Sequence, residues 1–359
     1  MDVPVVLSHR TAWLFYHAAQ RESVIARGAE YGIDQLGLKA AEVARRVRAF
    51  LADCGIPADE LDTLHVLVAF PHERGGSKAF RTHVRGALLT ENHLVHVAPG
   101  LFVVSPELAF IRASLWMKPL ELLEWGGELC GRYETCPWTT EQDTRSGNTH
   151  VSARTDRSAT DKKDGRNREA DQAHDLGYRE RPALTSRVSI QSVAQELSGV
   201  KGARKAQRAL RRVRDGARSP MEIALALMIM CPIEDGGLGF TNVELGHRMS
   251  MPPNLQPMFS SSYLELDLYF PSRKVALEYD GAKHAELDRR THDSDRAQAL
   301  ALMGISMRTV TAQHFANQLE LHRALNAVAA MLGIDVPMSR DFQRKQNELR
   351  QFLIRHWNK

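Results

Sequence analysis

Apolar residues recur along this chain with two periods, one typical of β-strands and one typical of α-helices. In the second half, alternation in "YLELDLYFP" and the apolar run of "KVALEYDG" predict two strands joined by the short turn "PSRK". A third strand is predicted at "ISMRTVTA". Helical spacing predicts helices at "SPMEIALALMIMC", "HAELDRRTHDSDRAQALALMG" and "LELHRALNAVAAMLG". The predicted order is helix, strand, strand, helix, strand, helix, which is typical of the α/β class.

The first half also mixes helices and strands. Helices are predicted at "SHRTAWLFYHAAQ" and "KAAEVARRVRAFLADC", and strands at "TLHVLVAF", "HLVHVAPG" and "LFVVS". The following "SPELAFIRASLWM" predicts a helix with Ser105 as N-cap and Pro106 in the first turn. The histidines are spread over predicted strands and turns, so the sequence gives little reason to expect a metal site here; they are His65, His83, His93 and His96.

A long polar segment at residues 138–185 separates the two halves. It is rich in both charge signs and nearly free of large apolar residues, so it cannot bury enough surface to offset its ordering entropy. We therefore predict a disordered linker there. The predicted domains are a smaller α+β domain, a basic helical segment, an α/β domain and a helical extension, at residues 1–137, 186–218, 219–335 and 336–359.

Composition and charge narrow the class of protein. The 359 residues carry a net charge of +4, which permits nucleic acid as a partner without requiring it. No apolar run approaches the roughly 20 residues that span a bilayer, and the start of the chain lacks a signal-peptide pattern. The cysteines are scattered without zinc-finger spacing, which favours reduced thiols; they are Cys54, Cys130, Cys136 and Cys231. We expect a soluble cytoplasmic protein with no membrane partner.

The stretch "VKGARKAQRALRRVRDGAR" predicts a helix with basic residues around much of its circumference. One interpretation is a solvated helix face, which is how most charge runs are used. The other is a surface that contacts the phosphate backbone of a nucleic acid, independently of sequence. The residues concerned are Lys201, Arg204, Lys205, Arg208, Arg211 and Arg212.

Three acidic residues form the candidate chemical site. The strand period places Glu278 and Asp280 on one face, and the hairpin brings Asp267 to the same face. Carboxylates about 4 Å apart repel by about 4 kcal/mol at a surface-like dielectric. Such a cluster persists if one member is protonated or if a cation such as Mg²⁺ binds.

Each acid also has an interpretation without chemistry. Asp280-Gly281 is an ordinary turn signal, and Glu278 is compatible with a solvated edge strand. Glu222 fits a capping box in "SPME", with Ser219 as cap and Glu222 bonding back to its N–H group.

The run from Ser219 to His314 resembles the very-short-patch-repair-like (Vsr-like) branch of the PD-(D/E)XK endonucleases. The matching pieces are "SPME", "ELDLYFP", "ALEYDGAKH" and "DSDRAQALALMGISMRTVT". The resemblance implies a restriction-endonuclease-like mixed sheet flanked by helices. It also implies Mg²⁺, with Mn²⁺ as an alternative, and DNA as substrate.

The resemblance also suggests a role for individual residues. Glu222 matches the acid of the first helix, and Asp267 and Glu278 match the metal-binding acids. Asp280 stands where many members of the wider fold have lysine, and it could bind a second metal ion. Lys283 and His284 are candidates for proton transfer or phosphate contact. The last pair of the pattern, Asp293 and Arg296, lies one helical turn apart and is expected to form a supporting ion pair.

The first half is similar, more weakly, to AbiEi-type antitoxin and transcriptional-regulator domains, mainly through "VVSPELAFIRA". This similarity suggests a bacterial phage-defence or toxin–antitoxin context and assigns no catalytic residue. Two functional hypotheses follow. The first is a metal-dependent DNA endonuclease, and the second is a DNA-binding regulator or antitoxin whose nuclease-like core has no activity. A cognate toxin and a second copy of the chain are further candidate partners, and the choice between DNA and RNA stays open.

Overall fold

The computed structural model describes residues 4–33, 39–68, 78–84, 89–135, 177–259, 261–281 and 296–356. The chain divides into two compact units, each built from several segments. The first unit comprises Met1–Leu122, Glu134–Arg181 and Val188–Arg208. The second unit comprises Leu123–Tyr133, Pro182–Arg187 and Ala209–Lys359.

A five-stranded mixed sheet forms the centre of the first unit. Its order is β3-β2-β1-β5-β4, with β1 antiparallel to β2 and parallel to β5. Two of these strands, β1 and β3, are short or polar and were not predicted, whereas β2, β4 and β5 lie at the predicted positions. The bounds are Val5–Leu7 for β1, Leu64–Val68 for β2, Phe80–Val84 for β3, Leu94–Ala98 for β4 and Leu101–Val104 for β5.

Helices α1, α3 and α4 lie at predicted positions, whereas α2 was not predicted. Helix α4 begins as expected, because the Ser105 hydroxyl accepts a hydrogen bond from the Leu108 N–H at 3.4 Å and Pro106 occupies the first turn. Helix α1 packs against α4 and β2, around the buried side chains of Phe15 and Phe110. The bounds are His9–Tyr16 for α1, Arg21–Ala26 for α2, Ala40–Asp53 for α3 and Pro106–Ala113 for α4. Helix α5, Pro119–Leu129, contributes residues to both units.

The C-terminal end of the predicted linker, from residue 177 onward, is ordered. Strand β7 (Tyr178–Glu180) pairs with β6 (Tyr133–Thr135). The sequence predicts a disordered linker where β7 lies and no element at β6. Arginines on and next to β7 explain this order, because Arg179 and Arg181 form ion pairs with the buried Glu134. The rest of the predicted linker, residues 138–176, lies outside the described residues.

The basic helix is also shorter than predicted. Residues 200–218 were expected to be helical throughout, but α7 spans Ala203–Ala209, and α6 (Arg187–Glu196) precedes it. After α7 the chain turns, and the Arg214 guanidinium holds the turn by donating to the carbonyls of Thr241 and Val243. The six predicted nucleic-acid contacts divide between the units: the first holds Lys201, Arg204, Lys205 and Arg208, and the second holds Arg211 and Arg212.

The second unit contains a four-stranded mixed sheet of order β11-β10-β9-β8. Strands β8, β9 and β10 are antiparallel neighbours, and β11 runs parallel to β10. Strand β8 was not predicted, because this edge strand exposes most of its polar side chains and has little apolar signal. The bounds are Glu244–Ser250 for β8, Tyr263–Phe270 for β9, Val275–Asp280 for β10 and Ser306–Thr311 for β11.

Helix α8 supports this sheet by packing against β9 and β10, with every residue from Glu222 to Met230 buried. Of the helix predicted at 284–304, the structure describes residues 296–304, and residues 296–302 are helical. Helix α11 lies within the predicted helical extension at residues 336–359. The remaining bounds are Pro220–Met230 for α8, Ala312–Ala316 for α9, Gln318–Leu332 for α10 and Arg340–Leu353 for α11.

These mixed sheets with flanking helices confirm the predicted α/β class. Within the described ranges, no helix has both the length and the apolarity required to cross a bilayer.

Candidate active site

Strand pairing brings two of the predicted acids together. The hairpin register pairs Leu277 with Leu268, and its continuation places Glu278 opposite Asp267 on the same face of the sheet. The Tyr279 N–H donates to Asp267 Oδ2 at 2.8 Å, which fixes one carboxylate oxygen at the end of the hairpin. The carboxyl groups of Glu278 and Asp267 interact, because Asp267, in addition to burial, contributes to raising the pKa of Glu278.

A third acid, Glu222, reaches the same sheet from the first turn of α8. The Ser219 hydroxyl accepts from the Glu222 N–H at 3.2 Å and donates to its carboxylate at 3.0 Å. The predicted capping box is wrong in one detail, because the backbone N–H that donates to Glu222 belongs to Arg218, at 2.9 Å. These bonds hold the Glu222 carboxyl at the start of the helix.

Burial and mutual repulsion change the protonation of these acids. Glu222 is 5% exposed, and burial, with the negative charge of Asp267, raises its pKa to about 7. Burial and the same negative charge raise the pKa of Glu278 to about 8, even though the nearby Arg296 acts to lower it. Glu222 and Glu278 therefore do not both ionise freely near neutral pH.

Arginines surround the acids, and the sequence did not predict most of these contacts. Arg218 donates to Asp267 at 3.1 Å and to Glu265 at 3.3 Å. Arg132 forms a second ion pair with Glu265. Arg218 directly precedes "SPME", so its position in the sequence could have predicted that it lies near the acids. Arg132 lies far away in the chain, and no sequence pattern pointed to it.

Arg296 supports the site through Glu278. Its guanidinium donates to Glu278 at 2.6 Å and also to the Glu265 carbonyl. The expected partner, Asp293, lies outside the described residues, as do Lys283 and His284. Asp280 is exposed at the end of β10.

Asp267 and Glu278 fit a magnesium ion by their chemistry. Mg²⁺ takes one or two carboxylates from a protein and completes its shell with water and phosphate oxygens. A bound cation would relieve the repulsion that raises the pKa of Glu278. Within the described residues, no group of three or more His, Cys, Asp or Glu side chains has a metal-binding arrangement. Asp267, Glu278 and Asp280 are all among the described residues and do not form such a group. Metal binding by these three residues stays a prediction.

The raised pKa of Glu278 makes stability depend on pH. The folded state keeps this proton up to about pH 8, whereas the unfolded chain loses it near 4.5, so the free energy of unfolding falls as pH rises between these values. One pKa unit corresponds to about 1.4 kcal/mol, so we expect Glu278→Gln to be more stable than wild type at high pH by about 1–3 kcal/mol. Urea unfolding across this pH range measures the difference.

The matched control for this measurement is Glu348→Gln, which changes a glutamate that is 58% exposed on α11. Exposed ion pairs contribute little to stability, so this variant should follow the wild-type pH curve. If Glu278→Gln also follows the wild-type curve, the raised pKa of Glu278 is contradicted.

Comparison of this chain with protein-family models, with curated proteins and with solved structures gave no match.

Proposed function

We propose that the second unit is a metal-dependent DNA endonuclease with a restriction-endonuclease-like fold. The observation that carries this proposal is the facing pair of carboxyl groups, Asp267 and Glu278, on adjacent strands beside Glu222. Folding alone gives no reason to place three acids together in a largely buried position. The order of α8, three antiparallel strands, a helical segment and a parallel strand supports the proposed fold.

The residues have distinct proposed roles. Asp267 and Glu278 would hold Mg²⁺ or Mn²⁺. When bound, such an ion lowers the pKa of a water molecule and stabilises charge on the scissile phosphate. Glu222, whose pKa is about 7, is suited to exchange a proton near neutral pH. Arg218 provides a guanidinium that can turn from Asp267 to a phosphate oxygen.

Other assignments rest on the sequence resemblance. Asp280, Lys283 and His284 are proposed to assist at the exposed end of β10, by holding a second metal ion, moving a proton or contacting phosphate. The basic side chains from Lys201 to Arg212 are proposed to contact the DNA backbone. The bacterial phage-defence context and a cognate toxin are proposals on the same basis.

A second candidate function is a DNA-binding regulator with an inactive core. The observation that favours it is the pairing of Arg218 with Asp267 and of Arg296 with Glu278. These guanidinium groups already occupy carboxyl oxygens that would bind a cation. The regulator therefore binds DNA in a salt-dependent manner but does not cleave it.

Plasmid cleavage distinguishes the two functions. We expect the full-length protein to nick supercoiled plasmid at low salt with Mg²⁺ or Mn²⁺ and to leave it intact with EDTA. Omitting the protein controls for metal-induced breakage, and a gel-shift assay in EDTA measures binding separately. Folded protein that shifts the DNA but produces no nicks in either metal would contradict the nuclease and favour the regulator.

A further inference from the structure

Three imidazoles form a cluster in the first unit, at positions that the sequence did not connect. The rings of His9 and His83 stack with their centroids 3.6 Å apart. His65 Nδ1 lies 3.1 Å from His83 Nε2, at hydrogen-bond distance. The three residues come from the start of α1, from β2 and from β3, so the cluster exists only in the folded unit.

The backbone holds this cluster in a specific arrangement. His9 has a φ angle of +49°, in the left-handed region that side chains rarely adopt, and is 7% exposed. The Ser8 hydroxyl lies 2.9 Å from His9 Nδ1 and orients the ring. Such strain persists only where the surrounding structure imposes it, and it is common at binding sites.

Arginines extend the cluster to the surface. The parallel pairing of β2 with β3 places His65 beside Arg81, and the strand period puts His83 on the same face. Arg81 and Arg10 are exposed, and Arg10 also forms an ion pair with Glu60. Arg81 therefore lies beside His65 on the neighbouring strand, and Arg10 follows His9 in the chain.

The charges around the cluster favour an anion. Burial lowers the pKa of His9 to about 2, and the further contributions come from His83, Arg112, His65 and Arg81, all of them basic. Burial also lowers the pKa of His65, with Arg81 and Arg10 acting in the same direction. Neutral imidazoles bind metal ions well, but the positive charges of Arg81 and Arg112 disfavour a cation. They favour a ligand that accepts several N–H hydrogen bonds.

We infer that His9, His65 and His83, together with Arg10 and Arg81, form a site for a phosphate group. Phosphate oxygens accept hydrogen bonds from imidazole and guanidinium N–H groups. The phosphate can belong to a nucleic-acid backbone or to a free nucleotide, because both present the same group. This site lies within the first unit, and its existence does not depend on nuclease activity in the second.

Histidine-labelled full-length protein tests the site by NMR in EDTA, which also prevents metal-dependent cleavage. The probes are inorganic phosphate, dAMP and a short single-stranded oligodeoxynucleotide. We expect each probe to shift the His65 and His83 resonances and to leave those of His96, an exposed histidine on β4, unchanged. If the oligonucleotide binds more tightly than dAMP, the ligand is the nucleic-acid backbone. If the two bind with equal affinity, the ligand is a free nucleotide.

Two variants extend this test. Arg81→Gln and His65→Asn should each weaken dAMP binding by at least about tenfold. Arg81→Gln removes a charged hydrogen-bond donor to phosphate, and His65→Asn removes the donor of a neutral imidazole. His96→Asn is the matched control and should bind dAMP as wild type does. Arg81 is exposed, so its variant keeps the test informative if His65→Asn destabilises the unit. The inference would be overturned if no phosphate probe shifted the His65 and His83 resonances. It would also be overturned if His96→Asn weakened dAMP binding as much as the other two variants do. In a separate titration without EDTA, a response to Zn²⁺ combined with no response to any phosphate probe would also overturn it.

Discussion

Asp267→Asn is expected to lower metal-dependent DNA cleavage by a factor of about 100 or more, since residues that only support metal ligands already change activity by about 10- to 100-fold. Asparagine keeps the shape of the side chain and can still accept from the Tyr279 N–H, which lies 2.8 Å from Asp267 Oδ2. It also removes the negative charge that raises the pKa of Glu278 and Glu222. The variant should therefore be folded and no less stable than wild type near pH 8.

The measurement is the initial rate of plasmid nicking with Mg²⁺, together with thermal unfolding of the same samples. Asp335→Asn, which changes an exposed aspartate of the same unit, is the matched control and should nick at the wild-type rate. Glu278→Gln should lose activity to a similar extent. Wild-type nicking by Asp267→Asn would remove this residue from the site. Loss of folding in both variants would show that the acids serve the structure instead.

Glu134→Ala is expected to destabilise the first unit by about 3–5 kcal/mol, the range typical of breaking a buried ion pair by removing one partner. Glu134 has no exposed surface and pairs with Arg21 at 2.8 Å and with Arg181 at 3.2 Å. Arg179 contacts the same carboxylate. Arg21 and Arg181 are themselves largely buried, so removing the acid leaves their charges uncompensated away from water.

Hydrogen–deuterium exchange measures this effect separately for each unit. Peptides from β5 and α4 should exchange faster in Glu134→Ala, whereas peptides from α10 in the second unit provide an internal reference. Glu22→Ala is the matched control, because Glu22 lies 3.7 Å from the same Arg21 but is 83% exposed. Equal exchange in the two variants would contradict the proposed importance of the buried network.

Helix starts and strand faces were largely predictable because they depend on neighbours in the chain. Ser105 and Pro106 predicted the start of α4, since capping uses residues within one turn. The alternation around Asp267 and Glu278 predicted that these acids share a face, and the short turn between the strands restricted their register. The polar segment at residues 138–185 predicted a disordered linker, but β7 begins before its predicted end.

Contacts between distant segments were decided by the tertiary structure. Alternation shows which face a side chain occupies, but it does not show which arginine lies opposite. The pairing of Arg218 with Asp267 and of Arg296 with Glu278 was therefore not predicted. The stacking of His9 on His83 has the same origin, because it requires α1 and β3 to meet in the folded unit. Local patterns follow from the conformational preferences of short segments, whereas the charge around each acid or imidazole depends on packing across the whole unit.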